Sequence, residues 1–465
     1  MRRFLATVLV LLVGLVPLPA AAQGNQFDLE KTKTTLTGII NRVIQERGVP
    51  SVSIALVRGD SIVWKAAFGY ANVRTRTAAT PETYYSTGST FKAATATAIL
   101  QLVDQGKIGL DQPVNRYLGD DVRIQDRLQV DKPVTFRHIL SHWSGLTAGA
   151  NTKPIWGREL PKSLDRMVGT LYSVRAPETK WEYNNYAYGM AGLLIEKISG
   201  VEYEKYVVEN ILKPLGVTTA RPVYPSAEMI ELMALPYMPG GTNGKPRPVD
   251  QVHFDVYPAG DLWLTAEEMA RFLGAHLNGG VWQGKRILSE ASVKLAHEPQ
   301  FGGTYALGWS VKKDEKGHTI VSHTGGIPGM SSYMLGDVDA KVGVYFMSNS
   351  GAPTAIGDAA LALLRGEEWT PPAEKKPIAV DPKTLDRYVG TYDLSGVSIV
   401  IARSAAGLVL RTEGQPEMVL NAESPTRFFI TGAPITIAFG TNAAGAVDRF
   451  ELETSDQKQT AKKVK

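Results

Sequence analysis

Two apolar-rich runs, 52–57 and 62–68, flank Gly59-Asp60, and together they predict an antiparallel hairpin. Similar runs recur late in the same region, at 305–311, 318–323, 332–335 and 342–347. Between them the period lengthens to that of helices. Ala93, Ala94, Ala96, Ala98, Ile99, Leu100, Leu102 and Val103 form a mostly small, apolar helix pattern with Gly106 as its stop. A second apolar helix pattern covers 188–198, and a last one covers about 354–364. Strands at both ends with helices between predict an α/β (α+β) class. The expected architecture is an antiparallel sheet flanked by helices, plus a helical region, with both chain ends building one sheet.

The pattern changes at 367–380. Glu367-Glu368-Trp369-Thr370-Pro371-Pro372 opens a charged, proline-rich linker. Beyond it, short strand patterns at 388–394, 397–402, 408–412, 418–421, 427–431, 435–439 and 447–453 alternate with turns. They predict a small all-β, barrel-like domain over 381–457, with a filled core or a packing role favoured over ligand binding. The lysine-rich end, 458–465, reads as a solvated, disordered tail. At the other end, Met1-Arg2-Arg3, the apolar stretch 4–16 and Ala20-Ala21-Ala22 read as a signal peptide over 1–22. The main domain is then 23–366. The mature chain is expected to be periplasmic or secreted, with no stable membrane span once the signal is removed; an uncleaved anchor is the alternative.

Composition narrows the chemistry. Of the 465 residues 44% are hydrophobic and 21% charged, as in a chain with a packed core. A formal net charge of +4 is too small to argue for nucleic acid or an anionic membrane. The chain contains no cysteine, which excludes disulfides, thiolate catalysis and Cys-based zinc sites. No His-Glu-x-x-His or Gly-x-Ser-x-Gly occurs, and the glycine-lysine spacing at 279–285 is followed by Arg286 where a phosphate loop needs Ser or Thr. No metal and no cofactor is expected. The expected partner is a small molecule or short peptide substrate; oligomeric state has no signal here.

The candidate chemistry begins at Ser89-Thr90-Phe91-Lys92. At the front of a helix this spacing puts serine and lysine on one face, so an amine can take the hydroxyl proton. Ser310…Lys313 and Ser455…Lys458 share the spacing but lie in a strand-like stretch and a polar tail. Tyr183-Asn184-Asn185 precedes the second helix pattern. A tyrosine beside a cation can relay protons, and Asn185 can bond both a lysine and a substrate carbonyl. His323-Thr324-Gly325-Gly326 closes the 318–323 strand pattern, and glycine there admits a close substrate backbone. Each motif alone also fits an ordinary structural residue; their joint occurrence in this order favours catalysis.

Ser-x-x-Lys, Tyr-x-Asn and His-Thr-Gly in that order resemble the serine β-lactamase and penicillin-binding superfamily. The Tyr-x-Asn form is similar to the branch with class C β-lactamases, D,D-carboxypeptidases, D-aminopeptidases and esterases. Ile139-Leu140-Ser141-His142-Trp143-Ser144-Gly145-Leu146 resembles the family's Leu-Leu-Thr-His-Thr-Ser-Gly-Leu. Pro258-Ala259-Gly260-Asp261-Leu262 resembles its Pro-Ala-Gly-Gly-Leu, and the likeness runs from about 30 to 365. It implies a β-lactamase-like fold with a lipocalin-like C-terminal domain. It also implies Ser89 as nucleophile, Lys92 and Tyr183 as its proton partners in an undecided division of labour, and Ser89 and Gly326 amides as the oxyanion hole. Asn185, His323, Thr324, Gly325 and Gly326 would contact substrate. Many β-lactamases have lysine where this chain has His323. A histidine near its usual pKa, charged only in part at neutrality, leans the reading toward a peptidase or esterase. A class C-like β-lactamase or D,D-carboxypeptidase, and a penicillin-binding sensor without turnover, are the alternatives.

Overall fold

The computed structural model describes residues 27–119, 122–129, 131–147, 154–156, 164, 171–219, 222–238, 246–371, 375–394, 397–404, 407–412, 417–430, 435–453 and 458–464. The signal-peptide segment 1–22 lies outside the described residues. Among them, no helix is long and apolar enough to cross a membrane.

The first unit is built on strands β1 (Ser51–Arg58), β2 (Ser61–Asn72), β3 (Thr77–Ala78), β4 (Ser310–Lys313), β5 (Thr319–Ile327), β6 (Met330–Asp337) and β7 (Val342–Ser348). They form one antiparallel sheet in the order β4-β5-β6-β7-β1-β2-β3, so the chain's early hairpin joins its late meander through β1 and β7. β1 is buried along nearly its whole length because both sheet faces are covered. Its alternate residues go to different cores. Val52, Ile54 and Leu56 pack with Leu36 and Ile40 of α1 (Leu29–Arg47) and with Ile356 and Ala360 of α5 (Ala355–Leu364). Ala55 and Val57 join the opposite core with α2 (Lys92–Asp104), α3 (Asn185–Ser199) and α4 (Ala266–Leu277). Of the predicted strand 305–311 only the part from Ser310 pairs as a strand; Tyr305 reaches Ser310 through a single bridge, so the chain turns back over this stretch.

The second unit is a closed antiparallel barrel of β8 (Gly390–Leu394), β9 (Val397–Ser404), β10 (Gly407–Thr412), β11 (Met418–Ala422), β12 (Arg427–Phe429), β13 (Thr436–Thr441), β14 (Val447–Glu453) and β15 (Lys458–Lys463). Seven strands match the sequence reading. The eighth corrects it: 458–463 is not a tail but the strand that pairs with both β14 and β8 and closes the barrel. Closure removes two open edges that would otherwise stand unpaired. Only Ala461 of this strand is buried, and its polar neighbours made it look like solvated chain. Tyr388, Tyr392, Phe428, Phe439 and Phe450 fill the barrel's interior, with Tyr388 stacked on Phe439 at 4.1 Å between centroids.

Candidate active site

Gly88 has φ 52°, a left-handed value that bends the chain into a 3-10 turn over Gly88–Phe91 before α2 begins at Lys92. Residues three apart eclipse in such a turn. Lys92 therefore stands beside Ser89, its Nζ 2.9 Å from Ser89 Oγ and 2.7 Å from the Ala259 carbonyl. The amine is fully buried, and burial holds its pKa well below the usual lysine range. It lies 4.8 Å from the centroid of the Tyr183 ring and 5.5 Å from that of Tyr188. Tyr183, distant in sequence, thus meets the Ser89–Lys92 turn.

Backbones crowd this turn. A Cβ added at Gly260 (φ 142°) would stand 2.2 Å from Gly88 O and 2.7 Å from Ser89 N. One added at Gly88 would stand 2.6 Å from Gly326 N. Gly260→Ala is therefore expected to destabilise the fold by about 2–3 kcal/mol and to weaken Ser89 reactivity together. Thermal unfolding alongside active-serine labelling checks it; an unchanged melting temperature would show that the turn has room to spare.

A cavity of about 100 Å³ opens at the nucleophile, lined by Ser89, Asn185, Gly326, Ile327, Phe254, Val256 and the stretch Ala259–Asp261. Within Tyr183-Asn184-Asn185 the roles divide. Asn184 is the N-cap of α3, accepting the Ala187 amide at 3.0 Å, whereas Asn185 faces the cavity. Of the third motif, Gly326 lines the cavity and Gly325 packs against the Ser89 turn. Thr324 is half-buried in β5, and β4 pairs with β5 only as far as Ser322.

His323 is placed differently from expectation. It is buried, its Nδ1 donates to the Thr324 carbonyl (2.6 Å), and its Nε2 pairs with the Tyr305 hydroxyl (2.8 Å). Burial, and then the charge of Lys92, push its pKa down to about 3, which corrects the expectation of a partly charged histidine at neutrality.

Sequence reasoning gave no role to His142. Its φ is 65°, it is buried, and it brackets Tyr183: its carbonyl accepts the Glu182 amide (2.9 Å) and its Nδ1 accepts the Asn184 amide (3.0 Å). Its ring lies 4.2 Å from that of Tyr183. Burial holds its pKa well below the usual histidine range. Tyr305 was read as a strand residue, and its bond to His323 was not foreseen. A lone histidine and a lone tyrosine carry no local signal for such contacts.

The Beta-lactamase family model matches residues 36–367. The chain belongs to the beta-lactamase family. Penicillin-binding protein 4* of Bacillus subtilis (strain 168) is 27% identical over 433 residues, covering 86% of this chain and 92% of that protein. Among solved structures, the octameric penicillin-binding protein homologue from Pyrococcus abyssi aligns with a TM-score of 0.62 at 23% identity, over 92% of this chain and all of that one. The D-amino acid amidase of Ochrobactrum anthropi SV3 aligns with 0.57 at 23% identity, over 72% and 98%. These two structures share the fold with this beta-lactamase family member.

Proposed function

We propose that this beta-lactamase family hydrolase is exported and works through an acyl-enzyme on Ser89, as a peptidase or esterase acting on amides or esters. The observation that carries the reading is the buried Lys92 amine, 2.9 Å from Ser89 Oγ and set against the Tyr183 ring. Ser89 Oγ bonds to the substrate carbonyl carbon while its proton passes to the Lys92–Tyr183 pair. The tetrahedral oxyanion is stabilised by the Ser89 and Gly326 amides. The C–N or C–O bond then breaks as the pair returns a proton to the leaving group. Water, deprotonated by the same pair, attacks the ester and releases Ser89. The two residues titrate as a unit, so the base is assigned to the pair. Asn185 positions the carbonyl from the cavity wall.

Neutral His323 supports the peptidase or esterase reading. With both nitrogens engaged, it supplies no fixed charge for a substrate carboxylate such as that of penicillins. The second reading, stable acylation by penicillin without turnover, draws on the similarity to the Bacillus subtilis penicillin-binding protein. A turnover panel decides: short-chain p-nitrophenyl esters, D-amino acid anilides, D-Ala-D-Ala peptides and a chromogenic cephalosporin, each followed by intact-protein mass. Turnover of esters or anilides with a transient adduct is expected. A persistent penicilloyl adduct with no turnover of any substrate would replace this reading with the second.

A further inference from the structure

A second cavity, of about 940 Å³, lies along the open edge of the sheet at β4 and shares no lining residue with the cavity at Ser89. Its walls come from the end of α4, the helix Glu290–Ala296 and the segment after it, β4 itself, and the turn between β6 and β7. Leu277, Val293, Pro299, Val311 and Val338 make most of this lining apolar. His276 and His297 complete it. Both are buried, Nδ1 of the first lies 3.3 Å from Nε2 of the second, and their rings pack on Trp309 at 4.9 and 5.1 Å between centroids. Burial pushes His276 well below the usual histidine range and His297 down to about 3, so this wall acts with the apolar side chains rather than as a cation.

The charged lining residues are mostly basic: Arg286, Lys294, Lys312, Lys313 and Lys341 outnumber Glu290 and Glu298. Lys294 is paired with Glu290 at 2.9 Å, and Arg286 is turned to the Gly279 and Leu288 carbonyls. Lys312, next to Lys313 on the strand, projects to the other sheet face. Lys313 and Lys341 are exposed and remain. Lys313 bonds the Thr319 hydroxyl at 2.7 Å, and among the described residues no carboxylate pairs with either lysine. Asp339 lies within electrostatic reach of Lys313 but bonds to the Thr319 amide instead. An apolar chamber with two such ammonium groups complements an anion that carries an apolar body. The volume suits a drug-sized molecule, whereas a hydrated inorganic ion would leave the apolar walls wet. A peptide strand added to the edge fits less well, because the Val311 amide is already bonded to the Thr304 carbonyl at 2.8 Å.

We propose that this cavity binds a small amphiphilic organic anion, with its anionic group facing Lys313 and Lys341 and its apolar body against Val311, Val338 and the two histidines. The site is separate from the Ser89 chemistry and does not depend on it.

The test is titration calorimetry with octanoate, beside octylammonium and octanol, which keep the chain and change the head group. The wild type is expected to bind octanoate saturably and at least about tenfold more tightly than either control. The double variant Lys313→Glu/Lys341→Glu is expected to weaken octanoate at least about tenfold, whereas Lys383→Glu, at an exposed lysine outside the cavity, changes its Kd less than about twofold. Thr304→Trp fills the cavity from an exposed wall position whose backbone alone holds Val311, and is expected to abolish binding. Absence of saturable binding by the wild type, equal affinity for octanoate and octylammonium, or an unchanged Kd in the double variant overturns the proposal. Should the double variant fail to fold, the head-group comparison and Thr304→Trp decide, and octanoate affinity that survives Thr304→Trp overturns it.

Discussion

Ser89→Ala is expected to lose all covalent labelling by a fluorophosphonate and to slow turnover by at least about 10⁴-fold, with only a small change in melting temperature. The size follows from the chemistry. Without Oγ there is no ester intermediate, and what survives is the stabilisation offered by the backbone amides and the cavity. The fold tolerates the change because Oγ contacts the Lys92 amine at a half-exposed position at the cavity wall. Among the described residues, no other Ser-x-x-Lys can take over; Ser455 lies outside them. Ser310 lies on β4, where side chains three residues apart point to opposite faces, so Lys313 cannot reach it. Intact-mass analysis with a progress curve on the best ester settles the matter. Turnover within tenfold of wild type would relocate the nucleophile.

Much of the fold was legible because period and burial agree. β1 and its partners are short apolar runs, and α2 and α3 are long ones, so local pattern and tertiary role coincide. Where they diverge, the sequence misleads. α1 carries its core residues as a sparse stripe, Leu36, Ile40 and Val43, within a polar run rich in lysine and threonine that hides the helical period. β15 buries only Ala461, so nothing in its own residues distinguishes a closing strand from loose chain; the need to pair β14 with β8 is a property of the whole barrel. The site shows the same division. Ser89, Lys92 and Tyr183 were visible because acyl transfer needs those types in that order. His142 and Tyr305 were not, because they act on Tyr183 and His323 through rings and amides brought together only by folding.

Lys92→Met is expected to cut turnover by about 10²–10⁴-fold and, at the same time, to reveal that the wild type gives up stability to keep an amine in the interior. The amine is buried, and its folded pKa lies well below its unfolded value near 10.4. Between those two values the unfolded chain binds a proton that the folded chain does not. Unfolding is therefore favoured by proton uptake, and the stability of the wild type rises with pH across that window. The methionine variant lacks this term. The difference in stability, wild type minus Lys92→Met, should thus climb from neutrality toward pH 10 with a slope of up to about 1.4 kcal/mol per pH unit, and flatten above it. Urea unfolding at a series of pH values measures the slope; a flat difference would mean that the amine is solvated and charged in the folded protein. Activity moves with the same proton. As pH falls through the apparent pKa of the Lys92–Tyr183 pair, the amine is protonated and can no longer draw the hydrogen from Ser89, so kcat/KM must fall on the acid side. A wild type whose acid limb persists unchanged in Lys92→Met would transfer the base role to Tyr183 alone.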